Sequence, residues 1–64
     1  MTLHALLILT VCDNVYVRDK LSGDCLIEGE PNYILHTMKT ENYIVESLDG
    51  GENEHGPYLE LEVL

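Results

Sequence analysis

Turn signals break this chain at short intervals, and that spacing limits it to short elements. Asp13-Asn14, Leu21-Ser22-Gly23-Asp24, Gly29-Glu30-Pro31-Asn32, Thr40-Glu41-Asn42 and Asp49–Pro57 separate runs of four to ten residues. Asn, Asp and Ser at such points bond their own backbone, and glycine permits positive φ. Pro31 cannot donate to a ladder and biases Glu30 away from the helical region. No repeat, low-complexity tract or linker lies between them, so residues 1–64 read as one small domain.

Most of the runs read as strands. Val15-Tyr16-Val17-Arg18-Asp19 alternates, and Cys25-Leu26-Ile27-Glu28 resumes an extended run after Ser22-Gly23, so the two predict a hairpin. Tyr43-Ile44-Val45-Glu46 is a strand by composition. In Tyr58–Leu64, Leu59, Leu61 and Val63 alternate with Glu60 and Glu62, an amphipathic strand with the leucines and valine inward. Thr2–Val11 is apolar on both faces at period two; read at period 3.6, Leu3, Leu6, Leu7 and Val11 make a helical stripe. Tyr33–Lys39 is similarly two-sided. A strand is the favoured reading of both, with a helix as the competitor. Asp49–Pro57 has no apolar residue and three of the five glycines, and reads as a mobile loop. The expected fold is mainly β: five or six short strands in an antiparallel sheet or a small barrel, with room for one short helix.

The order of these features resembles small SH3-like barrels of the bacterial type. The resembling residues are Asp13-Asn14-Val15-Tyr16-Val17-Arg18-Asp19, the turn at Ser22-Gly23, the later strand Tyr43-Ile44-Val45-Glu46-Ser47-Leu48 ending in Asp49-Gly50, and a final short strand. The resemblance implies a closed barrel and no particular site residues. It departs at Thr2–Val11, which is longer and more apolar than such barrels need.

Charge narrows the function. There are 12 Asp and Glu against 3 Lys and Arg, a formal net charge of -9. Such a chain repels phosphate backbones and anionic lipid surfaces, which argues against direct nucleic-acid or membrane binding, and is attracted to basic protein surfaces. Nine of the acids lie from Glu28 onward, where Lys39 is the one cation. Glu28, Glu46, Asp49, Glu52, Glu54, Glu60 and Glu62 are the candidate partner-binding residues, with Glu46, Glu60 and Glu62 expected on one outer face. The competing explanation is a solubilising surface.

Chemistry has little support in the sequence. His4, His36 and His55 with Cys12 and Cys25 show no metal-ligand spacing, and Gly50-Gly51-Glu52-Asn53-Glu54 lacks the Asp-x-Asp-x-Asp-Gly order of a calcium loop. No nucleophile elbow or phosphate-cradling loop is present. No enzyme activity, metal or cofactor is expected. Cys12 and Cys25 read as reduced thiols of a cytoplasmic protein, or of a host's cytoplasm if the chain is viral; a disulfide across the hairpin is the alternative.

The expected function is a small acidic binding protein. It would inhibit a basic, nucleic-acid-handling protein by mimicking nucleic acid. By analogy of size and charge, it would be phage- or mobile-element-encoded and directed at host defence, as anti-CRISPR proteins are. The alternative is an accessory subunit of a larger assembly. A chain this short buries little core, so a homodimer is also expected, with Leu3, Leu6, Leu7, Ile8 and Leu9 at its interface.

Overall fold

The computed structural model describes residues 1–64, folded as two layers: a four-stranded sheet with two short helices on one face. The strands are β1 (Asn14–Asp19), β2 (Cys25–Gly29), β3 (Val45–Asn53) and β4 (Gly56–Val63), and the helices are α1 (Leu3–Leu9) and α2 (Pro31–Thr37). The sheet order is β2-β1-β4-β3. Two antiparallel hairpins, β1–β2 and β3–β4, are joined by a parallel pairing of β1 with β4. The sheet is therefore mixed and open, with four strands rather than five or six, and it is not an SH3-like barrel. The molecule is mainly β.

The first hairpin follows the expected lines. Asp19 organises its turn: Oδ1 accepts from the Leu21 amide (3.1 Å) and Oδ2 from the Ser22 hydroxyl (3.1 Å), while Gly23 takes φ +80. The second hairpin replaces the loop expected at Asp49–Pro57. β3 and β4 stay paired as far as Asn53 opposite Gly56, and Asn53 Oδ1 accepts from the His55 amide at 2.8 Å. Backbone pairing needs no apolar side chain, so a segment without one can still be a strand.

Within Thr2–Val11, Leu3–Leu9 forms a helix where a strand was expected. Thr2 is its N-cap, with Oγ1 accepting from the Ala5 amide at 3.1 Å, and Thr10 closes it with an extended backbone. Leu and Ala are strong helix formers. A strand apolar on both faces would need cover on both, and a single sheet with one helical layer has only one dry side. Of Tyr33–Lys39, residues 33–37 likewise belong to a helix, α2, which ends at Thr37 with Met38 extended. Pro31, which reads as a breaker, occupies the first turn of α2, where its missing N–H costs nothing. A short 3₁₀ turn at Thr40–Asn42 follows.

The core sits between the helices and the central strands. Leu3 and Leu7 of α1, Ile34 of α2, Val15 and Val17 of β1, and Leu61 and Val63 of β4 are fully buried. Val17 lies opposite Leu61 in the parallel register, so the two hairpins meet at the centre of the core. Thr40 is the one buried polar residue, and His4 Nδ1 hydrogen-bonds its hydroxyl at 2.9 Å. No buried side-chain N or O atom lacks a partner. No helix is long and apolar enough to cross a membrane.

Candidate protein-docking surface

The alternation that buries Val15, Val17, Leu61 and Val63 turns their neighbours to the uncovered face of the sheet. Cross-strand partners share a face, which makes that surface readable from the register. Asn14, Tyr16 and Arg18 of β1 lie beside Tyr58, Glu60 and Glu62 of β4. Glu28 of β2 lies opposite Tyr16; Ser47, Asp49 and Gly51 of β3 lie opposite Glu62, Glu60 and Tyr58.

Two tyrosines form the centre of this face. The rings of Tyr16 and Tyr58 meet edge to face, centroids 5.9 Å apart at 77°. Tyr58 also lies over Gly51, where an added Cβ would come within 2.7 Å of its hydroxyl oxygen. Arg18 Nε donates to Glu60 Oε1 at 3.1 Å, with both side chains about two-fifths exposed. The Ser47 hydroxyl donates to Glu62 Oε1 at 2.6 Å. Glu28 and Asp49 have no cation within ion-pair distance, and Asp49 directly faces Glu60. Arg18 is the only Lys or Arg within the four strands.

Four of the seven expected partner-binding acids share this face: Glu28, Asp49, Glu60 and Glu62. Glu46, expected beside Glu60 and Glu62, is the bulged residue and has no cross-strand partner. The register slips between Val45 and Ser47, so Ser47 takes the place opposite Glu62. A bulge inserts one residue and reverses which side chains face which side. Glu52 lies opposite Pro57 on the helix side of the sheet, and Glu54 sits in the turn, its Oε1 3.5 Å from His55 Nε2. Tyr16, Arg18, Ser47 and Tyr58 were missed as members of the face. The alternation of Val15-Tyr16-Val17-Arg18 already held the signal for two of them.

The five residues expected at a dimer interface divide. Leu3 and Leu7 are core residues and have no surface to offer a partner. Leu6 is half-buried against the core. Ile8 and Leu9 are 61% and 74% exposed, and Val11 just beyond them is 96% exposed. Ile8 and Val11 border an open groove between the end of α1 and the start of α2, lined also by Pro31, Leu35 and the acidic Asp13 and Glu30.

Titratable side chains are dispersed elsewhere. His4 bonds Thr40, His36 Nδ1 donates to the Asn32 carbonyl at 2.7 Å, and His55 lies in the second hairpin turn. Cys12 and Cys25 are free thiols; Cys12 donates to the Asn14 carbonyl at 3.1 Å. No group of three or more His, Cys, Asp or Glu side chains is placed to hold a metal ion. Comparison with protein-family models, curated proteins and solved structures finds no match.

Proposed function

We propose that this is a small, non-enzymatic acidic protein that inhibits a basic, nucleic-acid-handling protein by covering its nucleic-acid groove. The observation that carries the reading is the uncovered sheet face, where Glu28, Asp49, Glu60 and Glu62 surround the Tyr16–Tyr58 pair and Arg18 is the only cation on the strands. Carboxylates held on a sheet are spaced by the strands and steer a basic groove into contact. The tyrosines supply contact area at the centre, where interface energy concentrates. A phage- or mobile-element-encoded antagonist of host defence, working in the host cytoplasm, fits this size and charge.

The test is capture from a bacterial lysate at low and high salt, comparing the wild type with a variant carrying Glu28→Gln, Glu60→Gln and Glu62→Gln. Nucleic-acid-binding proteins should be retained by the wild type, released by salt, and lost with the variant. Equal retention by both proteins would return these acids to a solubilising role.

A second reading is favoured by Ile8, Leu9 and Val11, three exposed apolar side chains at the end of a helix that bears no carboxylate. They form a self-association surface on the helical layer, so two chains of charge -9 pair with Glu28, Asp49, Glu60 and Glu62 turned outward on the opposite face. Ile8→Glu should leave the circular dichroism spectrum unchanged and lower the mass seen by light scattering. A wild type that stays monomeric at high concentration sinks the dimer. It leaves an accessory-subunit role, in which another protein covers the same side chains.

A further inference from the structure

We infer that the open edge of β3 accepts an added strand from its partner, a segment alternating apolar and basic residues, paired along Leu48–Glu52. The partner's charge rests on the acidic-docking reading above; the strand addition rests on separate backbone geometry.

β3 is an edge strand, paired with β4 on one side only. In an antiparallel ladder, alternate residues point their N–H and C=O toward the neighbour and away from it. Ile44 and Leu64 exchange bonds (3.5 and 3.0 Å), so the next residue, Val45, faces away. The chain uses that outward position itself. Val45 N–H donates to the Met1 carbonyl and Leu3 N–H to the Tyr43 carbonyl, each at 2.9 Å, with Thr2 bridged antiparallel to Ile44. Residues 1–3 are therefore a short added strand that stops where the bulge begins. Beyond it, Leu48, Gly50 and Glu52 lie opposite Leu61, Leu59 and Pro57. These are the non-bonded positions of the ladder, as Pro57, which has no N–H, requires at Glu52. Their peptide groups face the open edge, where only the Gly50 N–H has a partner, Asp49 Oδ1 at 2.9 Å.

Edge strands are commonly closed by charge. Here every charge is negative: Glu46, Asp49 and Glu52. That set repels another copy of β3, because edge-to-edge pairing would bring the carboxylates of both chains together. It favours Lys or Arg. Leu48, 56% exposed on the helix side, offers an apolar contact to the incoming strand, while Asp49 on the other face offers a carboxylate. A residue directly opposite Leu48 shares its face and exchanges its peptide bonds. So the apolar residues of the added strand make the hydrogen bonds, and the basic ones meet Asp49.

A capped peptide of four Lys-Val repeats tests this, with two modified versions, one N-methylated at every Val and one at every Lys. Binding is followed by calorimetry, and amide exchange at Leu48 and Glu52 by NMR. The parent peptide should bind and slow both amides. N-methyl-Val should weaken binding by about tenfold or more, since every methylated Val loses its hydrogen bond to the edge. N-methyl-Lys should bind like the parent. Leu48→Pro, which removes an outward N–H and leaves the bonds to β4 intact, should weaken the parent peptide similarly.

Equal binding of both N-methylated peptides would overturn strand addition and leave acidic docking standing. No binding of the parent peptide would also overturn strand addition, while the Gln variant above decides the docking face independently. Slowed exchange at Leu48 and Glu52 that grows with protein concentration, without peptide, would show a second copy on this edge and refute the basic partner.

Discussion

Leu7 and Leu9 separate the helical reading of the N-terminal segment from the strand reading more sharply than any other pair. A strand puts both on one face, and truncating either to Ala should then cost about the same. A helix turns them roughly 200° apart. Leu7 is 1% exposed in the core with Leu3, Ile34 and Leu61, whereas Leu9 points to solvent. Leu7→Ala removes packed methyl groups and leaves a cavity, at about 3 kcal/mol. A chain of this size has roughly 3–10 kcal/mol of stability in all, so that loss is a large share. At about 4–8 °C per kcal/mol it lowers Tm by about 12–24 °C. Leu9→Ala removes a side chain that is mostly hydrated already, and Ala is the better helix former, so the change stays within about 0.5 kcal/mol. Urea unfolding followed by circular dichroism at low protein concentration gives both values, provided the m-values match the wild type. Comparable losses for the two variants would refute the packing of α1 described above.

Gly29→Ala should cost about 1–3 kcal/mol by the same assay, because Gly29 has φ +147 and a Cβ there would sit 2.8 Å from the Tyr33 ring. Arg18→Gln should change stability by less than about 1 kcal/mol, since its ion pair with Glu60 is solvent-exposed on both sides; a larger loss would mean that Arg18 anchors the face. Asp49 and Gly51, at bonded positions of the β3–β4 ladder, should exchange their amide protons more slowly than Glu54 in the turn. Uniformly fast exchange across 49–53 would restore the mobile loop.

Much of the sheet could be read from local pattern. Val15 and Val17 inward with Tyr16 and Arg18 outward, and Leu61 and Val63 inward with Glu60 and Glu62 outward, follow from strict alternation, which has no helical interpretation. The turn at Asp19–Asp24 was legible because its residues make their bonds within the turn. Half of the acidic face came with the β4 alternation for the same reason.

What tertiary structure alone decided concerns segments whose pattern fits two periods and contacts between distant residues. In Leu3–Leu9 and in Tyr33–Lys39 apolar side chains fall on every face, so periodicity could not choose; the choice fell to which surface the open sheet left to be covered. The cap at Thr2 and the proline at the head of α2 are local helix signals that the sequence reading did not use. The parallel pairing of β1 with β4 joins Asn14 to Tyr58 and Asp19 to Val63 across most of the chain, and no turn chemistry announces it. The bulge at Val45–Ser47 decided that Ser47, and not Glu46, meets Glu62. A period-two pattern fixes which residues alternate, but one inserted residue reverses the faces, and only packing against the completed core sets where that residue goes.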